Sequence, residues 1–204
     1  MMRTLFYIVL GYLSGSVLYA RVFSEWLGKD DLLVKSKDGN PGTANAFQYG
    51  GFWCGVCTLL GDVLKGFFPV WLFFRGVEYV PTPALIFVLA APVLGHSYPI
   101  FYHFRGGKGI AVTFGCLLGL MPLWQPFAFL VGAFLLFSLI VRVTPHFHRT
   151  IVSYLFTLIC LFLSSQPPEV AIAFLLITCV VCLRLHASTE PREAIQIRLF
   201  SRTK

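Results

Sequence analysis

Three groups of polar residues stand out from an otherwise apolar chain by their types and spacing. The first is Asp38-Gly39-Asn40-Pro41-Gly42-Thr43-Ala44-Asn45. Gly39 and Gly42 permit close backbone approach and can turn amide N–H groups towards an anion, while Asn40 and Asn45 add side-chain donors. The segment also reads as a surface turn, since Asp-Gly and Asn-Pro are everyday turn dipeptides, and both readings are open. The second group is Arg105-Gly106-Gly107-Lys108-Gly109, directly before a helical run. A glycine loop feeding a helix N-terminus offers outward-pointing amides and a favourable dipole to a phosphate, and Arg105 and Lys108 add charge. It is not a Walker A loop, because the long glycine spacing and the Ser/Thr after Lys are missing. The competing reading is a flexible basic turn, but two adjacent glycines inside a cationic pair exceed what membrane orientation requires.

The third group lies within apolar runs. Asp62 and Lys65 stand three residues apart and share a helix face, where they can pair. His96 follows Gly95 and precedes Pro99, where a helix distorts. Ionisable groups at membrane depth are costly and carry function by default. The pair reads equally as a structural ion pair, and His96 as a base, a phosphate donor or a structural histidine, with a structural or binding role preferred.

The elements that must position these groups follow from composition. The 204 residues are 57% hydrophobic and 12% charged, about half the charge of a soluble domain, with a mean hydropathy of +0.77. This excludes a water-covered globule and a disordered tail and implies an all-α polytopic membrane protein of a single domain, residues 1–204. Seven apolar segments are expected: Thr4–Phe23, Gly51–Phe74, Ala84–Phe101, a short helix over 110–120, a span over 123–141, Thr150–Leu163 and Val170–Leu185. Met121-Pro122 and Gln125-Pro126 break the long run between 110 and 141. Thr4–Phe23 has the length of a true span and no small-residue cleavage site after it, so it is read as a helix and not as a signal peptide.

The net charge of +7 reports orientation before it reports a ligand. With seven segments, one face receives Arg21, Lys29, Lys35, Lys37, Arg105, Lys108, Arg142, Arg149, Arg184, Arg192, Arg198, Arg202 and Lys204, against Arg3 and Arg75 on the other. That asymmetry places the N-terminus outside, the C-terminus in the cytoplasm and both glycine loops on the cytoplasmic face. It also argues against a nucleic-acid partner. Cys54/Cys57 and Cys179/Cys182 have C-x-x-C spacing. No histidine stands at ligand spacing and no βαβ context surrounds them, so the six cysteines are read as small buried residues, and no metal is expected.

Several segments in series resemble one known family. They are Gly11-Tyr12-Leu13-Ser14-Gly15-Ser16; Gly39 to Asn45; Gly61-Asp62-Val63-Leu64-Lys65-Gly66-Phe67-Phe68-Pro69-Val70; Leu94-Gly95-His96-Ser97-Tyr98-Pro99-Ile100-Phe101; and Phe104-Arg105-Gly106-Gly107-Lys108-Gly109-Ile110-Ala111. Their order and spacing over roughly residues 5–120 are similar to those of the bacterial acyl-phosphate:glycerol-3-phosphate acyltransferases, the PlsY family. The resemblance implies a seven-helix enzyme of the bacterial inner (cytoplasmic) membrane with its active site facing the cytoplasm. It implies acyl transfer from acyl phosphate to the sn-1 hydroxyl of glycerol 3-phosphate, giving lysophosphatidic acid and phosphate. It further implies no cofactor, contact with membrane lipid and a monomer.

Carried over by position, the resemblance puts Asp38, Asn40, Asn45 and His186 at catalytic positions. It puts Arg105, Gly106, Gly107, Lys108, Gly109, Gly39 and Gly42 around substrate phosphate, with Asp62, Lys65 and His96 in support. The chain departs from the family pattern at three places. Asp38 stands where the family usually has Ser, adding negative charge. Gln48 stands where it usually has Arg, removing a fork suited to phosphate, for which Lys35 or Lys37 is a partial replacement. The His-Arg-x-Asn-type motif near the C-terminus is matched only by His186. Two rivals follow: a catalytically impaired member that binds phospholipid precursors or a partner enzyme, and a small transporter or channel. The transporter reading lacks a visible inverted repeat.

Overall fold

The computed structural model describes residues 2–28, 36, 38–75, 83–189 and 193–199. Each apolar run becomes helical. The first is not one straight span: α1 (Met2–Ser16) and α2 (Tyr19–Trp26) form a pair bent by 41°. The break at Val17 and Leu18 takes Val17 out of the helical ladder, and its carbonyl accepts a hydrogen bond from Lys65 Nζ at 2.6 Å. Ser14 Oγ donates to the Lys65 carbonyl at 3.0 Å, so the bend is tied at two points to the helix carrying Lys65.

A helix absent from the sequence reading follows, α3 (Thr43–Gly50), and then α4 (Phe52–Arg75). The 24 residues of α4 reach about 36 Å, enough to cross a bilayer core of about 30 Å. α5 (Pro83–Ser97) leads through a 3₁₀ turn (Ile100–Tyr102) into the glycine loop and α6 (Ile110–Leu118). At nine residues, α6 reaches only about 14 Å. α7 (Gln125–Leu135) runs into a π-helical turn (Leu136–Ile140), and α8 (His146–Leu163) and α9 (Pro168–Ala187) complete the bundle.

Four of these helices are long and apolar enough to cross a membrane: α4, α5 with its 3₁₀ turn, α8 and α9. The bent α1–α2 pair makes a fifth if counted as one span, while Gln125–Ile140 is a shorter apolar helix. The protein is thus a mostly helical, multi-pass membrane protein. The all-α expectation needs one correction. β1 (Val141–Thr144) and β2 (Gln196–Leu199) form an antiparallel pair with Val141 opposite Leu199 and Thr144 opposite Gln196. Val141 and Val143 are β-branched and sit just before Pro145, whose ring disfavours helix in the residue ahead of it.

The core lies between α4, α5, α6, α8 and α9, where Val70, Leu89, Val93, Val112, Leu117, Tyr154, Phe174 and Ile177 are buried together. Small residues set the closest approaches. A Cβ on Gly15 would overlap the Pro92 carbonyl, and one on Gly95 would overlap the Tyr12 carbonyl, so α1 and α5 touch backbone to backbone. Gly115 meets the Val63 carbonyl in the same way, seating short α6 against α4. Large apolar side chains such as Phe6, Phe68, Phe87, Ile159 and Phe162 point outwards, the arrangement of a bundle solvated by lipid. The cysteines divide: Cys54 and Cys116 are buried as expected, but Cys179 is exposed on the apolar surface. All six are free thiols, and among the described residues no cluster of His, Cys, Asp or Glu is arranged to hold a metal.

Candidate active site

A cleft of about 540 Å³ opens where the two glycine loops meet. One wall is Asp38, Asn40, Gly42, Thr43, Ala44, Asn45, Gln48 and Tyr49, contributed by the first loop and α3. The facing wall is Lys108, Gly109, Ile110 and Ala111 at the start of α6. Asp62 and His96 reach it from α4 and α5, and Pro145, His146 and Glu193 close the remaining side. Two segments separated by nearly sixty residues in the sequence therefore converge.

Asp38 organises the first wall. Its Oδ1 accepts from Asn45 Nδ2 at 2.7 Å and from the Asn40 amide at 3.2 Å. Asn45 Nδ2 also donates to the Asn40 carbonyl at 2.9 Å, closing the loop on itself. Gly39 takes a positive φ of 58°, which glycine adopts without strain and which lets the chain turn into Asn40. Asp38 Oδ2 lies 3.0 Å from Lys108 Nζ, joining the two walls, and Ser188 Oγ approaches it at 3.5 Å from beyond α9. Partial burial opposes charge on Asp38, but the Asn45 hydrogen bond, the Lys108 ammonium and the Asn40 amide together hold its carboxyl below the usual range.

The second glycine loop is threaded beneath His96. The Gly107 amide donates to the His96 carbonyl at 3.0 Å. A Cβ on Gly106 would overlap that carbonyl, and one on Gly107 would overlap His96 Nε2. Both positions therefore accept only glycine without rearrangement. Arg184 of α9 caps the loop from outside. Its guanidinium donates to the Gly106 and Gly107 carbonyls and lies 5.4 Å from the Tyr98 ring centre. Gly109, in the left-handed region at φ 79°, then turns the chain into α6, so the helix N-terminus and Lys108 face the cleft. The first amides of a helix lack intrahelical partners and favour an anion.

Below the cleft lies a dry cluster. Lys65 Nζ is 2.7 Å from Asp62 Oδ1, 2.8 Å from His96 Nδ1 and 2.6 Å from the Val17 carbonyl. The ammonium's three protons thus have three partners. With Lys65 donating to Nδ1, the His96 proton resides on Nε2, the nitrogen that faces Gly107. All three side chains are almost fully buried. The arrangement fastens α4 to α5 and to the α1–α2 bend, and supports the cleft floor.

Of the residues expected from the sequence, Asp38, Asn40, Gly42, Asn45, Lys108 and Gly109 line the cleft, and Asp62 and His96 reach it. Gly39, Gly106 and Gly107 shape its loops. Arg105 is exposed and does not line the cleft, and the loop is held instead by Arg184. His186 lies on the exposed side of α9 with its ring 6.4 Å from that of Phe147, away from the cleft lining. Lys35 and Lys37 lie outside the described residues. Sequence reasoning missed Arg184, His146 and Glu193. The one available signal was a guanidinium inside the apolar run of the last helix.

The cleft of this multi-pass helical membrane protein thus gathers the amides that open a helix, two asparagines and a lysine. Residues 5–192 match the family model described as glycerol-3-phosphate acyltransferase, and the chain belongs to this family. It is 37% identical over 131 residues to the glycerol-3-phosphate acyltransferase of Methylobacillus flagellatus, covering 63% of this chain and 64% of that one. It is 42% identical over 118 residues to that of Pseudomonas paraeruginosa, covering 56% and 59%. These matches therefore span a little under two thirds of the relatives' own length. Two crystal structures of PlsY, an integral membrane glycerol 3-phosphate acyltransferase, superpose on the fold. Its glycerol 3-phosphate form gives a TM-score of 0.78 at 28% identity, over 90% of this chain and 88% of that one. Its lysophosphatidic acid form gives 0.76 at 27%, over 89% and 87%.

Proposed function

We propose that the protein transfers an acyl group from acyl phosphate to the sn-1 hydroxyl of glycerol 3-phosphate, releasing lysophosphatidic acid and inorganic phosphate. The observation that carries this reading is the convergence of Lys108, the α6 N-terminus, Asn40 and Asn45 on one cleft at the edge of an apolar bundle. An acyl phosphate is an activated mixed anhydride, so alignment and charge stabilisation supply much of the rate. The sn-1 oxygen attacks the acyl carbon, the acyl C–O bond to phosphate breaks, and the hydroxyl proton passes to a phosphate oxygen. Lys108 and the amides at the start of α6 hold phosphate, and Asn40 and Asn45 line the transfer site. Asp62, Lys65 and His96 keep the floor rigid.

The same proposal includes seven crossings with the N-terminus out and the C-terminus in, short α6 being one of them. The cleft then opens to the cytoplasm of a bacterial cell, in which the protein works as a monomer in the inner membrane. The excess of Lys and Arg around both glycine loops supports this orientation. A second reading, a member with impaired catalysis that binds phospholipid precursors or a partner enzyme, is favoured by one observation: Lys108 is already paired with Asp38. The test is phosphate release from palmitoyl phosphate by the purified protein. Release that requires glycerol 3-phosphate supports transfer. Binding of both compounds without release supports the second reading, and neither binding nor release overturns both.

A further inference from the structure

Three of the donors that line the cleft already hold an anion. Asp38 takes a hydrogen bond from Asn45 Nδ2, another from the Asn40 amide and the charge of Lys108. Of these groups, Lys108 is assigned above to substrate phosphate, and Asn40 and Asn45 to the adjoining transfer site. The Asp38 and Lys108 side chains are only 9% and 12% exposed, so water screens their attraction less than at an open surface. The other charged lining does not offset the loss. Asp62 is paired with Lys65, Glu193 adds a third carboxylate to the lining, and Gln48 is neutral. A phosphate dianion entering this cleft meets a cation that is already neutralised.

We propose that Asp38 is a specificity-determining residue, a resident carboxylate on Lys108, Asn45 and the Asn40 amide that a phosphate-bearing acceptor must displace. It thereby weakens binding of dianionic acceptors relative to neutral polyols. The inference rests on the reading of the cleft given under Proposed function. The held-down pKa agrees with it, since the carboxylate stays charged at neutral pH. Asparagine at this position keeps an oxygen for the Asn45 and Asn40 donors, removes the charge, and turns towards Lys108 an amide nitrogen that cannot accept its proton.

The test measures binding to the purified full chain in detergent: glycerol 3-phosphate and palmitoyl phosphate by calorimetry, glycerol by NMR. Asp38→Asn is expected to tighten glycerol 3-phosphate binding roughly tenfold or more, the scale of one charge-assisted hydrogen bond. Glycerol binding should not change, and the gain should vanish when Lys108→Met is added. Asp38→Ser should act in the same direction, so a folding defect in one variant does not decide the matter. Glycerol 3-phosphate binding that is unchanged or weaker in the folded variants overturns the inference while leaving the proposed function intact. So does a gain shared equally by glycerol, or one confined to palmitoyl phosphate. If neither the parent chain nor any variant binds either phosphate compound, the reading of the cleft fails and the inference fails with it.

Discussion

Lys65 lies 2.7 Å from Asp62, and Lys108 lies 3.0 Å from Asp38. The two pairs have the same chemistry in different surroundings. The first is carried on one helix, is sealed from solvent and gives its remaining protons to His96 and the Val17 carbonyl. The second joins two loops at the mouth of a cleft. Breaking a buried pair leaves a charge with nowhere to go, whereas breaking a pair beside a cleft lets water or a ligand replace the lost partner. The contrast separates a fastener from the pair proposed to bind substrate, although the sequence presents both as an aspartate and a lysine in a polar motif.

The largest expected effect comes from the buried pair. Lys65→Met should cost about 3–5 kcal/mol of stability, because it leaves the Asp62 carboxylate uncompensated. A fall in Tm of the purified protein in detergent measures this. Adding Asp62→Leu should recover much of the loss, because the orphaned charge is then gone. A single variant that unfolds at the parent temperature would break the comparison. Next in size is Lys108→Ala. It should raise KM for glycerol 3-phosphate by about 10–100-fold, equivalent to about 1.5–3 kcal/mol of charge-assisted hydrogen bonding. Its Tm should stay close to that of the parent. Equal losses of stability from Lys65 and Lys108 variants would mean that the pairs are not different in kind.

Gly107→Ala probes the seam between the pairs, because its new Cβ would press on His96 Nε2, whose ring carries the Lys65 contact. Overpacking of this kind costs about 1–3 kcal/mol. Both readouts should therefore move together: Tm falls, and KM rises because the loop carrying Lys108 shifts. A change in KM alone would show that the seam is looser than the geometry implies.

Composition and hydropathy period were enough to place every apolar helix, since burial in lipid is written into long uninterrupted runs. The short α6 and the break after it were legible in Met121-Pro122 and Gln125-Pro126. The α1–α2 bend was not read, although Ser14-Gly15-Ser16, a pairing at which helices kink, stands directly before Val17-Leu18. That bend is stabilised by Lys65, 48 residues away. Helix α3 was hidden inside a turn-like motif, and β1–β2 pairing joins segments more than fifty residues apart. In the site, glycine spacing and cationic flanks located both walls. Which of two nearby arginines serves the loop was decided by tertiary packing, and Arg184 rather than Arg105 reaches the glycine carbonyls. Local sequence carries no record of that choice.

The smallest expected effect belongs to Asp38 and sharpens the comparison in the opposite sense. Its carboxyl is held below its ordinary pKa, so across the window between the folded and unfolded values the unfolded chain binds more protons. Stability from this group is therefore full above the unfolded carboxylate pKa of about 3.9 and is lost as pH falls through the folded value. With the pair beside a solvent-accessible cleft, the increment should be at most about 1 kcal/mol. Asp38→Asn should have a slightly lower Tm than the parent at pH 7, and the difference should close as pH drops below the ordinary carboxylate range. A gap that stays constant with pH would assign Asp38 to packing rather than charge. A gap that closes, in a variant that also binds glycerol 3-phosphate more tightly, would show one carboxylate stabilising the empty cleft while opposing its ligand. The Asp62 carboxylate also borders the cleft, but it is almost fully buried and paired with Lys65 on its own helix, so it has no such exchange available to it.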